Sequence, residues 1–304
     1  MSNRASDLQV EAALTAFSIN YRPQNLIADQ ILPIVPHGNE TGIFWEWDQK
    51  KAFSFPDTLR ADGTRPNTLD VKASKRAFAV EEYALDIGIT DREEKNADGV
   101  LRLRQNKTKR VQDAILMDQE RRVAKLLRDG LNGETLSGGD LWSATGTANI
   151  EEQIDDAKEA VRKATGGLEP NVIIIPRQVT RYAKRHDYIR DLLKFTNNSL
   201  LVNGELPEQV FGLKTVIPGA LQDNGPTALQ MEDVWGDDIV IAHVTDAPEL
   251  DSPSLGYIIR NGDFVTYTWR EDAISTTWIR PTVMQTEILA HKGCGYVLRG
   301  VLGQ

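Results

Sequence analysis

"NLIADQILPIVP", residues 25 to 36, packs six large aliphatic residues, Leu26, Ile27, Ile31, Leu32, Ile34 and Val35, around Pro33 and Pro36. The prolines forbid a continuing helix and interrupt a central β-ladder, so the segment reads as an extended arm with no core element of its own. Its aliphatic surface must be covered by something else, and what covers it decides how the rest of the chain is read.

Around this arm the pattern changes several times. Residues 5–17 (ASDLQVEAALTAF) place Leu8, Ala12, Ala13 and Phe17 at roughly helical spacing, which predicts a short amphipathic helix. From Thr41 to Ile89, "GIFWEWDQKKAFSF" and "LDVKASKRAFAVEEYALDIGI" read as two strand-rich arms joined by the turn-forming "PDTLRADGTRPNT". The result is a long hairpin, aromatic at Trp45, Trp47, Phe53 and Phe55. Asn106 or Thr108 is the expected cap of a long helix that runs to about Asp129 and stops at Gly130. Asn149, with Glu152 three residues on, opens a helix over 150–165 that Gly166 ends. "NVIIIP" reads as a buried strand, and Pro176 opens a following helix. "GLKTVIP" and "DDIVIAHVT" complete an α/β module of about a hundred residues. The tail is all β, with a hairpin expected around Asn261-Gly262 in "GYIIRNGDFVTYTW".

Composition excludes several classes of function. The 304 residues are 40% hydrophobic and 26% charged, and no apolar run reaches the roughly eighteen residues of a membrane-spanning helix. The N-terminus MSNRASDLQV lacks the basic-then-apolar order of a signal peptide, and the single Cys294 cannot form an internal disulfide, so synthesis in a reducing cytoplasm is expected. A formal net charge of −9 argues against gripping phosphate backbones as the main work. A basic stretch at Arg102, Arg104, Lys107, Lys109 and Arg110 is followed on the same helix by Asp113, Asp118 and Glu120, so it reads as a solvated or subunit-facing surface.

Catalytic chemistry has no candidate. His37, His186, His243 and His291 are scattered, and His291 with Cys294 alone does not make a metal site. Neither a phosphate-binding loop nor a dinucleotide fingerprint occurs, and no serine sits in a nucleophile elbow. The acidic run Glu151, Glu152, Asp155 and Asp156 occupies the first turns of a helix, where the dipole favours negative charge. Lys50, Lys51, Lys72 and Lys75 read as edge guards of the hairpin. No enzyme activity, cofactor or metal is expected.

In order and spacing, "NLIADQILPIVP" leading into the hairpin, "NVIIIPRQVTRYAKRHDYIRDLLK" in the module and the terminal "CGYVLRGVL" resemble the major capsid proteins of tailed bacteriophages. The resemblance implies the α+β Hong Kong 97-like (Johnson) fold. It divides the chain into an N-terminal arm (1–40), an E-loop hairpin (41–89), a P-domain with the spine helix (90–145), an α/β A-domain (146–256) and a returning P-domain segment (257–304). It also implies a shell protein that self-assembles into hexamers and pentamers of an icosahedral head around double-stranded DNA. The expected location is the virion, after assembly in the bacterial host cytoplasm. The implied subunit interface comprises Leu26, Ile27, Ile31, Leu32, Ile34 and Val35 of the arm with Trp45, Trp47, Phe53 and Phe55 of the hairpin. The arm begins too early to leave room for a cleaved scaffolding segment, so a separate scaffolding protein is expected, besides a portal and a decoration protein. The lysine, asparagine and glutamate of the family's cross-link match no positions here. The alternatives are an encapsulin-like compartment, or an α/β ligand-binding protein or enzyme over residues 146–256.

Overall fold

The computed structural model describes residues 9–21, 26–46, 58–60, 62, 65, 74–97, 99–144, 148–194, 206–225, 230–245 and 253–303. The chain opens with β1 (Gln9–Val10), α1 (Ala12–Asn20), the single turn α2 (Ala28–Ile31) and β2 (Ile34–Pro36). Then come β3 (Thr41–Glu46), β4 (Ser74–Ala79), β5 (Glu81–Ala84), β6 (Ile87–Thr90), α3 (Asp91–Asn96) and the long α4 (Val100–Gly130). β7 (Asn132–Thr135), α5 (Ile150–Thr165), β8 (Val172–Ile174), α6 (Arg177–Ala183) and α7 (Asp187–Lys194) follow. The short strands β9 (Gln209–Val210), β10 (Leu213–Val216), β11 (Leu221–Asp223) and β12 (Met231–Asp233) lead to β13 (Ile239–Ala242). Finally, β14 (Gly256–Glu271), β15 (Thr276–Leu289) and β16 (Gly295–Arg299) close the chain.

Helix α4 has 31 residues and is about 46 Å long. It starts before the expected cap. Thr108 lies buried inside the helix with its hydroxyl donating to the Arg104 carbonyl, and Gly99, at φ 152°, precedes the first turn without a side-chain cap. The extra turns are held from outside, by ion pairs of Arg104 with Glu94 and Lys107 with Glu93 on α3. At the other end a Cβ on Gly130 would meet Leu289 Cδ1 at 2.4 Å, so glycine is there for close approach to β15. Helix α5 behaves as its sequence predicts: the Asn149 side chain accepts from the Glu152 N–H, and Gly166 ends the helix in the left-handed region at φ 73°.

Strands β14 and β15 form a long antiparallel pair, flanked by β1 and parallel β2 on the β14 side and by β5 and β6 on the β15 side. The expected hairpin at Asn261-Gly262 is not a turn. Pairing shifts register between Asn261 and Val265, with Gly262 at φ 71°, and β14 continues past it. This is a bulge, and the chain reverses only at Asp272–Ile274, before Ser275 at φ 49°. The reason is that Phe264, Thr266 and Thr268 continue the buried alternation beyond the bulge, so the strand has a buried face to satisfy there too.

The second sheet has the order β7-β16-β13-β8-β10-β9. Its central strands are apolar on both sides, as the run "VIII" demands. Ile173, Ile175, Ile239, Ile241 and Leu298 face Trp142, Ile150, Ile154 and Val179 in one core cluster. Val172, Ile174, Val240, Ala242 and Val297 face Val123 and Leu127 of α4 in another. This sheet takes β7 and β16 from outside the 146–256 expected for the α/β module, so that range does not close a core by itself.

The arm sits in the second of these clusters, and this corrects the expectation for it. Ile31 and Leu32 are 0% exposed and Ile27 is buried, while Leu26 and Ile34 pack against the same core and Val35 is half-buried in β2 beside β14. Ile27, Ile31 and Leu32 are therefore internal to the subunit, whereas Leu26, Ile34 and Val35 keep part of their surface exposed. Fully burying Ile31 and Leu32 contributes roughly 1.5–3 kcal/mol each. The arm is pinned by Glu120 of α4, whose carboxylate accepts the main-chain N–H groups of Ile27 (3.1 Å) and Ala28 (2.8 Å) and the indole N–H of Trp235 (2.7 Å). It thereby satisfies the first orphan donors of α2. Burial pushes the Glu120 carboxyl up, outweighing the three hydrogen bonds that favour its ionised form.

Each buried donor left unpaired costs about 1–3 kcal/mol, so Glu120→Ala should lower the unfolding free energy by roughly 3 kcal/mol or more, read as a fall in the urea midpoint. The folded-state value lies above the ordinary glutamate value of 4.5, so the folded chain holds this proton more tightly than the unfolded chain. The contribution is thus full below the ordinary value and is lost as pH rises through the raised one. Urea midpoints of Glu120→Gln measured across that window should lack this component of the slope.

Candidate assembly surface

Strands β3 and β4 pair from Thr41↔Ala79 to Glu46↔Ser74 and, among the described residues, join no other sheet. A two-stranded ribbon is marginal in water without something to pack on. At its base the ribbon is held by the Val80 N–H donating to the Glu40 carbonyl, and by Phe78 edge-on to His37 at 5.2 Å. A Cβ on Gly42 would meet the tip of the Phe78 ring, Cζ at 2.6 Å, so the ring packs closely over this glycine. Further out Ile43 is 61% exposed, and the Arg76 guanidinium stands 6.0 Å from the Phe44 ring. Of the expected hairpin residues, Trp45 lies opposite Lys75 in the ladder. Its side chain, with Trp47, Phe53, Phe55, Lys50, Lys51 and Lys72, lies outside the described residues.

Because β5 starts directly after β4, the direction of the ribbon is set by how β5 is fastened to the body. Tyr83 of β5 lies under the guanidinium of Arg122 on α4, 3.7 Å from the ring centroid. Arg122 also donates to Glu287 of β15 (2.8 Å) and pairs with Asp118. Burial, with a contribution from Glu81, pushes the Tyr83 hydroxyl up to about 12, so it remains a neutral donor to Glu81 at 3.0 Å. Beside this, Gln285 donates to Gln119 of α4 and accepts from Arg260 of β14, a buried polar line across helix and sheet. Nothing in the local pattern marks Arg122, Tyr83 or Gln285, since their partners are 165 residues or more away or on another element.

At the far end of the β14–β15 pair, Trp269 and Trp278 stack at 6.2 Å with Arg280 over Trp269. Arg270 holds Asp91, and Arg280 holds Asp86 at 2.5 Å, which ties this tip to β6 and α3. Ile274 at the turn is 53% exposed.

The histidines and the cysteine take internal roles. His186 Nε2 lies 3.1 Å from the Ala148 carbonyl and His243 Nδ1 2.7 Å from that of Glu169. Cys294 is buried, 3.6 Å from His291 Nδ1, and desolvation pushes its thiol up to about 12, which withholds the nucleophilic thiolate at neutral pH. No cluster of metal-ligating side chains forms among the described residues.

No family model matches the chain. Over 212 residues it is 30% identical to the major capsid protein of Pseudomonas phage JBD67, a match covering 68% of this chain and 65% of that protein's length. Its fold is similar to that of a phage-related protein from Bordetella bronchiseptica RB50, with a TM-score of 0.74 at 18% identity over 96% of this chain and 97% of the other. It is also similar to the capsid structure of Cyanophage P-SCSP1u, with a TM-score of 0.63 at 11% identity over 98% and 92% of the two chains. The chain is thus similar over about two thirds of its length to a phage major capsid protein, and its mixed α+β fold is similar to that of a phage capsid structure.

Proposed function

We propose that this chain is the repeating subunit of an icosahedral phage head of the Hong Kong 97-like kind, assembling through hexamers and pentamers around double-stranded DNA. The observation that carries the reading is the β3–β4 ribbon, a two-stranded arm with an exposed Ile43 and no further strand against it among the described residues. Such a ribbon is completed by a neighbouring copy more readily than by solvent. In this reading residues 41–89 are the E-loop, α4 is the spine of the P-domain and the second sheet is the centre of the A-domain. Trp45, Trp47, Phe53 and Phe55 form the contact with the neighbour, joined by the partly exposed Leu26, Ile34 and Val35 of the arm, and the buried Ile27, Ile31 and Leu32 do not. A separate scaffolding protein, a portal and a decoration protein complete the assembly, which forms in the host cytoplasm and ends as the virion.

Electron microscopy of the purified protein tests this. Closed shells or ring-shaped capsomers are expected, and nuclease-protected DNA inside particles from infected cells. Shells filled with a protein cargo and no nucleic acid would instead identify a compartment, and a stable monomer with saturable small-molecule binding would sink both readings.

The hairpin aromatics carry a further expectation. Burying each contributes roughly 1.5–3 kcal/mol as an upper figure, reduced by the entropy of ordering the arm. Replacing Trp45 and Trp47 together by serine should leave the circular dichroism nearly unchanged and abolish closed particles; normal shells, or an unfolded subunit, would overturn the assignment. Mature particles boiled in detergent should run as one band at the 33.9 kDa of the chain. A ladder of covalent multimers would show that subunits become cross-linked.

A further inference from the structure

Of the acidic residues that follow the basic stretch on α4, Asp113 and Glu120 are turned toward the body, while Asp118 and Asp129 stay at the surface. Asp113 accepts the Tyr21 hydroxyl at 2.7 Å, Asp118 is paired with Arg122, and Glu120 is buried under the arm. The exposed cations of α4 are Arg102, Lys109, Arg110, Arg121, Lys125 and Arg128, with the half-exposed Asp118 and the exposed Asp129 beside the last of them. Arg128 is engaged by Asp238, and Arg121 stands 3.9 Å from Asp118 and is 57% exposed. Arg102, Arg110 and Lys125 are exposed and have no ion pair among the described residues. This stripe of cations ends beside a groove of about 410 Å³ lined by Asp118 and Asp129 with the cations of the helix, and by Gln222 and Val234 from across it.

Its composition selects the kind of partner. The uncharged positions between the cations are Asn106, Ala114 and the half-buried Met117, so no large apolar side chain protrudes to anchor a protein interface. From Arg102 to Arg128 the stripe runs about 39 Å along a rigid rod, close to the roughly 34–36 Å of one turn of duplex DNA. The chain as a whole carries −9, so this concentration of cations is local to one helix face. The geometry points to the outward face of α4 as a contact for the phosphate backbone of double-stranded DNA, without base recognition. This rests on the capsid reading, which supplies the duplex, and adds the surface that meets it.

The test uses unassembled full-length subunit and a fluorescent duplex of about forty base pairs, with affinity read by anisotropy between about 50 and about 200 mM salt. Each cation that neutralises a phosphate contributes about 0.9 to the slope of log affinity against log salt. Replacing Arg102, Arg110, Arg121 and Lys125 together by glutamine should therefore flatten the slope by roughly 3 to 4, and Lys125→Gln alone by about 0.9. Replacing Lys158 and Lys163 of α5 by glutamine should leave it unchanged. The single variant keeps the test valid if the quadruple one does not fold. An unchanged slope in both, or no binding by the wild type, overturns the proposal. So does a quadruple variant that binds DNA normally and fails to form shells, because the stripe would then be a contact between copies. Shells from the wild type, scored separately by microscopy, report on the capsid reading, so the two can fail independently.

Discussion

The buried carboxylate of Glu120 joins three parts of the chain that are far apart in sequence. It takes the main-chain donors at the start of α2 and the indole of Trp235, which lies just beyond β12, and it does so from the middle of α4. Ionising a carboxylate in an apolar surround is unfavourable unless strong donors meet it, and donors buried with no acceptor are equally unfavourable. Each side of the contact therefore requires the other. The proline-punctuated arm, which has only one helical turn and one short strand of its own, is held by this contact and by the burial of Ile31 and Leu32.

The same helix organises the two sheets. Its later turns, at Val123 and Leu127, pack on one face of the second sheet through Val172, Val240 and Val297. Its earlier turns, at Val111, Ile115 and Leu116, pack on Phe264 and Val283 of the long β14–β15 pair. One rod thus carries two apolar faces that rotate around it along its length, which leaves its remaining face to charge. Arg122 over Tyr83 and the line of Gln119, Gln285 and Arg260 fasten the sheet to this rod with polar groups that have specific partners. Such contacts set an orientation as apolar packing alone does not. They fix β5, and with it the base of the β3–β4 ribbon, against the body.

Much of this was legible from local pattern. The cap at Asn149 and the stop at Gly166 bound α5, "NVIIIP" is a strand buried on both faces, and the long apolar period announces α4, because caps, left-handed glycines and periodicity act within a turn or two of the chain. Helix α4 starts ahead of the cap that its sequence offers because its extra turns are held by ion pairs to α3 and not by a cap of their own. Asn261-Gly262 looked like a turn because the same left-handed glycine serves both a hairpin and a bulge, and only the long partner β15 distinguishes them.

What the sequence determined by itself is the set of elements, the absence of a recognisable catalytic motif, and the need of an aliphatic arm and an aromatic hairpin for cover. What only the tertiary structure decided is who covers them. The arm is covered within its own subunit by α4, through a glutamate some ninety residues away, whereas the β3–β4 part of the hairpin joins no other strand among the described residues. Periodicity reports that a face is apolar but not which surface meets it, since that depends on long-range contacts with no local signature. The charge of α4 followed the same rule: its acids and bases lie together in sequence, and only the fold turned Glu120 inward and left Arg102, Arg110 and Lys125 facing out.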